Sequence, residues 1–194
     1  METQSIDFID RDYSDQLLGL LRENIFHLTT AKAYKRILKD GFIFGNQYEK
    51  YPMNPGSLES FGRDRGWVCL FDLRGKSDKE IDDSLMKYYF LGPCWFKEIF
   101  QSYTESRLVY LIMLKACFDQ LVPNQEGIES WTNGSGFTQF IPNVECWFPG
   151  KLPIELISEA LCVRIRNSVR KDNPFLSAHH KLALQEYKMK TAKD

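Results

Sequence analysis

The chain has 194 residues, 43% of them hydrophobic, which is enough for one well-filled core. Its 25 Lys+Arg stand against 26 Asp+Glu, so bulk charge argues against a protein held to nucleic acid by its net field, while leaving room for a local basic groove. No apolar run approaches the roughly 20 residues of a membrane span, and the opening Met-Glu-Thr-Gln-Ser-Ile-Asp is too polar and acidic for a secretory signal.

In chain order, residues 10–22 read as an amphipathic helix, with Tyr13, Leu17, Leu18 and Leu21 on one side. Residues 24–28 read as a short strand. Thr29 or Thr30 then caps a helix whose inner face is Ala33, Ile37 and Leu38, and Gly41 ends it. A short apolar extension follows over 42–44. Residues 47–65, with Pro52, Pro55, Gly56, Gly62, Arg63 and Arg65, read as an exposed loop, long for an idle connection.

Residues 67–73 form a buried strand in this reading. Ser77-Asp78-Lys79-Glu80 is a capping box that opens a helix running to about Phe90, broken by Gly92-Pro93. Residues 107–114 are the clearest strand. The pattern over 121–135 is ambiguous, with a turn at 134–136 before a short strand at 137–141. Another strand covers 144–148, Pro149-Gly150 turns it, and a short helix at 154–158 leads into a last core strand at 161–165. Strands and short helices without regular alternation indicate an α+β fold with mostly antiparallel pairing. The domain is expected over 1–170, with 171–194 as a peripheral basic helix and tail.

The five cysteines, Cys69, Cys94, Cys117, Cys146 and Cys162, show no CxxC spacing. Buried reduced thiols account for them best, which points to a cytoplasmic protein. His27, His179 and His180 have no ligand spacing to a cysteine pair, so no metal site is expected. Neither a GxGxxG nor a Walker motif is present. Cys69 and Cys146 have no GxCxG-like turn and no helix start directly behind them to lower a thiol pKa.

Two residues carry the chemistry. His27 ends a short apolar strand beside two hydroxyl residues and runs straight into a helix. It either bonds a neighbouring backbone carbonyl or meets a ligand. Glu145 lies among Val144, Cys146, Trp147 and Phe148. Burying an ionised carboxylate without partners costs several kcal/mol, on the order of a strong destabilising mutation. Glu145 therefore either faces water or works in a cleft. Arg63 and Arg65 could hold a phosphate, although a solvated loop is the plainer account. Trp67, Phe71, Trp95 and Trp147 read as core, and the basic residues from Arg164 to Lys190 as a solvated face.

The segment His27-Leu28-Thr29, a helix, then Ile37-Leu38-Lys39-Asp40-Gly41-Phe42-Ile43 resembles the opening of ADP-ribosyltransferase-like domains. Members near this shape include the DNA-modifying DarT-type toxins and the RNA 2′-phosphotransferases. The late segment from Val144 to Ile157, with Glu145 before Pro149-Gly150-Lys151-Leu152-Pro153, resembles the part of DarT-type toxins that carries the catalytic glutamate. Trp67 to Asp72 stands where the family has its middle motif strand. The family often has a tyrosine or serine there, and this chain has Cys69. The resemblance covers about two-thirds of the chain, as motif order and spacing.

The resemblance implies a split antiparallel sheet with flanking helices, with NAD as substrate lying across the split. It implies an NAD-dependent ADP-ribosyltransferase, a glycosyltransferase of the toxin or defence kind, with a nucleic-acid or protein acceptor and, for a toxin, an inhibitory partner protein. Glu145 is implied as catalytic. His27, Thr29 and Cys69, with Arg63 or Arg65 from the long loop, are implied as NAD-binding. Two other readings remain open: a catalytically inactive nucleotide- or RNA-binding module on the same fold, and an unrelated α+β interaction protein. The enzymatic reading expects His27 and Glu145 to face one hollow.

Overall fold

The computed structural model describes residues 1–9, 13–48, 60–88, 90–91, 105–132 and 140–166. Eight strands and five α-helices can be followed among them. The strands are β1 (Glu2–Ile9), β2 (Ile25–Thr30), β3 (Phe42–Ile43), β4 (Val68–Asp72), β5 (Glu105–Met113), β6 (Glu145–Phe148), β7 (Leu152–Pro153) and β8 (Ile157–Arg166). The helices are α1 (Tyr13–Leu21), α2 (Ala31–Asp40), α3 (Phe61–Asp64), α4 (Asp78–Lys87) and α5 (Asn124–Thr132), with 3-10 turns at Lys115–Gln120 and Ile154–Leu156.

Six strands form one sheet in the order β1-β8-β5-β2-β4-β6, and β3 pairs with β7 in a small second sheet. Every pairing is antiparallel except β1 with β8. The fold is thus α+β with a mostly antiparallel sheet, as the irregular alternation of elements implies. Helices cover both faces. Leu17 and Leu21 of α1 and Ile81 of α4 pack on Phe26, Phe71, Leu108, Tyr110 and Ile112. On the other face, Tyr34 and Ile37 of α2 pack with Ile25, Leu70, Val109, Leu111 and Cys146.

Local signals explain most elements. Thr30, not Thr29, caps α2: its hydroxyl accepts from the Ala33 amide at 3.1 Å. Gly41 takes φ 75° and returns its amide to the Ile37 carbonyl, a left-handed stop that a Cβ would strain. The Ser77–Glu80 capping box is present at the start of α4.

The differences have physical causes. Strand β1 carries Glu2, Thr3, Gln4 and Ser5 and gives no strand signal; it exists because β8 is long enough to template it on an outer edge. Leu38 is 44% exposed, and Tyr34 takes the inner position of α2 expected for it, one helical turn before. The segment 47–65 is not wholly an exposed loop: Phe61 and Gly62 are buried in α3, while 49–59 lie outside the described residues. The segment 154–158 is a 3-10 turn followed directly by β8, so the last strand is ten residues rather than five. Residues 140 and 141 are not strand, and the helix expected within 171–194 lies outside the described residues.

Among the described residues, no helix is long and apolar enough to cross a membrane.

Candidate functional site at the parting of β2 and β4

Strands β2 and β4 pair only at Ile25↔Asp72 and Phe26↔Phe71. Strand β2 continues on β5 through Thr30↔Leu108, and β4 continues on β6 through Val68↔Phe148. The sheet is therefore joined at one end of the β2–β4 seam and open at the other. His27 is the first residue past the last pair. Its Nδ1 lies 2.9 Å from the carbonyl oxygen of Cys69, so a side chain spans the seam where the backbone ladder stops. A carbonyl only accepts. The neutral ring therefore donates from Nδ1 and keeps a lone pair on Nε2. Burial holds the His27 pKa below its ordinary value, opposed by the bond to Cys69, which favours the neutral ring at physiological pH.

Glu145 begins β6 and is 3% exposed. Both carboxylate oxygens are engaged. Oε1 accepts from Nε1 of Trp147 at 2.8 Å and from the Cys69 thiol at 3.2 Å, and Oε2 accepts from the Ile141 amide at 2.6 Å. Burial pushes the Glu145 pKa up, and these three donors pull against it. The Cys69 thiol is held well above its ordinary pKa by burial and by the neighbouring carboxylate. Cys69 is thus a donor and not a nucleophile.

The backbone carrying Glu145 is clamped from α5. Asn124 donates from Nδ2 to the carbonyls of Ile141 (3.0 Å) and Glu145 (2.8 Å), and its Oδ1 accepts from the Asn143 amide at 3.0 Å. Sequence reasoning missed Asn124, because an asparagine after a proline reads as an ordinary helix start. It also placed Trp147 in the core alone. Trp147 is fully buried, but it is also a hydrogen-bond donor to Glu145.

His27 and Glu145 do not meet. Paired residues share a face and successive residues alternate. His27 pairs with Leu111 and belongs to the α2 side of the sheet, as does Thr29, which is buried opposite Val109. Glu145 pairs with Phe71, which pairs with Phe26, and belongs to the α1 side together with Cys69 and Trp147. The expectation of an imidazole and an acid facing one hollow is corrected on this point: the pleat sends them to opposite faces, and among the described residues Cys69 links them. Of the two readings of Glu145, the water-facing one is excluded by its burial.

Of the loop arginines, Arg65 stacks its guanidinium 3.7 Å from the centroid of Phe61, and Arg63 lies 3.7 Å from the Asp64 carboxylate with its side chain mostly covered. The stack holds Arg65 at the surface over the aromatic cluster of Phe61, Trp67 and Trp147. The described residues contain no group of three or more His, Cys, Asp or Glu arranged to hold a metal ion.

No family model matches this sequence, and no curated protein or solved structure matches it.

Proposed function

We propose that the chain is an NAD-dependent ADP-ribosyltransferase on an ADP-ribosyltransferase-like split sheet, acting in the cytoplasm on a nucleic-acid or protein acceptor. The observation that carries this reading is the parting of β2 and β4 at His27. The three strands with motif resemblance lie side by side in the order β2, β4, β6, with the opening between the first two.

In this reading NAD is the substrate. The lone pair on Nε2 of His27 suits a ribose hydroxyl, and Arg65 suits a phosphate. The bond between the nicotinamide nitrogen and ribose C1′ breaks, nicotinamide leaves with the bonding pair, and an acceptor nucleophile bonds C1′ and loses its proton. A carboxylate stabilises the cationic sugar, as in glycoside hydrolysis. Because His27 and Glu145 lie on opposite faces, one NAD reaches both only by threading the open end of the β2–β4 seam, and Glu145 serves this role only by exchanging one of its internal donors for a substrate hydroxyl. The test is nicotinamide release from NAD by purified protein, with Glu145→Gln alongside. Release that Glu145→Gln abolishes supports the reading; release at the parental rate in that variant removes the carboxylate from it.

A second reading is favoured by the opposite faces of His27 and Glu145 and by the closed bonding of the carboxylate. In it the two residues only hold strands together, and the domain is non-catalytic. Absence of nicotinamide release supports this account. Thermal stabilisation by NAD or an RNA end then marks a binding module, and its absence an interaction protein.

A further inference from the structure

We propose that Trp147 is the positioning residue of Glu145, its indole N–H fixing one carboxylate oxygen in place while the ring is wedged between two glycines. The kinetic consequence rests on the transferase reading, whereas the positioning itself does not.

The indole is held on every side. Its backbone exchanges two bonds with Val122, Trp147 N to Val122 O at 3.0 Å and Val122 N to Trp147 O at 2.8 Å, on the outer edge of β6. On the inner edge it pairs with Cys69 of β4. A Cβ on Gly62 would overlap Cδ1 and press on Nε1 of the indole, and a Cβ on Gly127 would lie 2.9 Å from its far edge at Cη2. Phe61 covers one side with ring centroids 4.6 Å apart, and Phe140 lies at 6.3 Å. A ring so confined has no freedom to turn. Nε1 therefore points at Oε1 of Glu145, 2.8 Å away, before any ligand arrives.

A buried tryptophan needs an acceptor for its N–H, and any backbone carbonyl would satisfy that need. Here the acceptor is the carboxylate that begins the same strand, two residues away. Gly62 leads into β4 and Gly127 lies on α5, the helix whose Asn124 clamps the Glu145 backbone. Side chain and main chain of Glu145 are thus fixed from the same two neighbours.

The test is Trp147→Phe, which keeps an aromatic ring and removes the donor. Glu145 is followed by carboxyl-carbon NMR, assigned against Glu145→Gln. The expected result is an upward move of the Glu145 titration midpoint. If the parent releases nicotinamide, kcat should fall about tenfold to a hundredfold, with KM for NAD within roughly threefold. An unchanged midpoint overturns the proposal. If Trp147→Phe does not fold, the Trp147 indole proton in the unsubstituted protein decides: it should shift in step with Glu145, and an indole signal indifferent to that titration overturns the proposal. A parent that releases no nicotinamide rejects the transferase reading, and the two titrations still decide the positioning.

Discussion

The thiol of Cys69 donates to Oε1 of Glu145 at 3.2 Å, while the carbonyl of the same residue receives Nδ1 of His27 at 2.9 Å. Both motif residues are bonded to Cys69. Its main chain serves one and its side chain the other, so the two contacts can be separated by mutation. Cys69→Ser should keep the His27 bond and give Glu145 a stronger, shorter donor, lowering the Glu145 midpoint. Cys69→Ala should keep the His27 bond, raise that midpoint and cost about 1 kcal/mol in urea unfolding. Equal midpoints in the two variants would show that the thiol does not act on the carboxylate.

Removing the carboxylate should be felt in stability as well as chemistry. Glu145→Ala leaves Nε1 of Trp147 and the Ile141 amide facing an emptied, buried space. The expected loss is about 2–4 kcal/mol by denaturant unfolding. Glu145→Gln should lose less, because its amide oxygen still serves Trp147, though its NH2 then meets the Ile141 N–H. A Glu145→Ala variant as stable as the parent would contradict the hydrogen-bond arrangement.

The two residues pull stability in opposite directions with pH. The His27 pKa is lowered on folding. Its contribution is fully present above the ordinary histidine value and is lost as pH falls from there through the folded value. The Glu145 pKa is raised on folding. Its contribution is fully present below the ordinary carboxylate value and is lost as pH rises through the folded value. Urea midpoints between pH 7 and pH 4, a range that reaches below both ordinary values, should thus fall less steeply in His27→Gln than in the parent. In Glu145→Gln they should fall more steeply. Parallel curves for all three proteins would reject both assignments.

The hydroxyls beside His27 have separate tasks. Thr30→Ala should cost about 1 kcal/mol of stability through the lost cap on the Ala33 amide, with little effect on any nucleotide binding. Thr29 lies on the His27 face of β2 and does not cap the helix. Thr29→Ser should preserve its hydroxyl, so NAD-induced stabilisation that survives Thr29→Ser but is lost in Thr29→Val would support the role implied for it.

Gly62→Ala should disturb the site from a distance. Its Cβ would overlap Cδ1 and press on Nε1 of the Trp147 indole, so the ring must shift. A loss of about 1–3 kcal/mol is expected, together with changed tryptophan fluorescence. Gly75→Ala gives a contrast: φ is 61° but the space is open, so only local backbone strain of about 1 kcal/mol is expected.

Much of the scaffold was legible in the sequence because its signals are local. A threonine before an amphipathic run, a glycine after it and a Ser-x-x-Glu box each act within a few residues, and each is found at α2 or α4. What was not legible depends on partners far along the chain. The polar β1 is a strand only because of β8, and Asn124 matters only because a turn near residue 141 comes back to it. Trp147 was legible as core but not as a donor, since its acceptor is set by ring orientation. The relation of His27 to Glu145 was misread for a similar reason. Each lies on a strand, but the face each uses is fixed by register with strands between them, through Phe26, Phe71 and Leu111. One step of register decides the side, and no local pattern records it.

The parallel contact of β1 with β8 also has a consequence for biogenesis. Residues 2–9 are translated well ahead of their template, residues 159–166. Until that template emerges the first segment has no sheet to join and must wait, exposed to chaperones and proteases, while β5 awaits the same strand on its other edge. Closure of this sheet is thereby coupled to the emergence of β8, so a growing chain cannot complete the six-stranded sheet before that strand has left the ribosome.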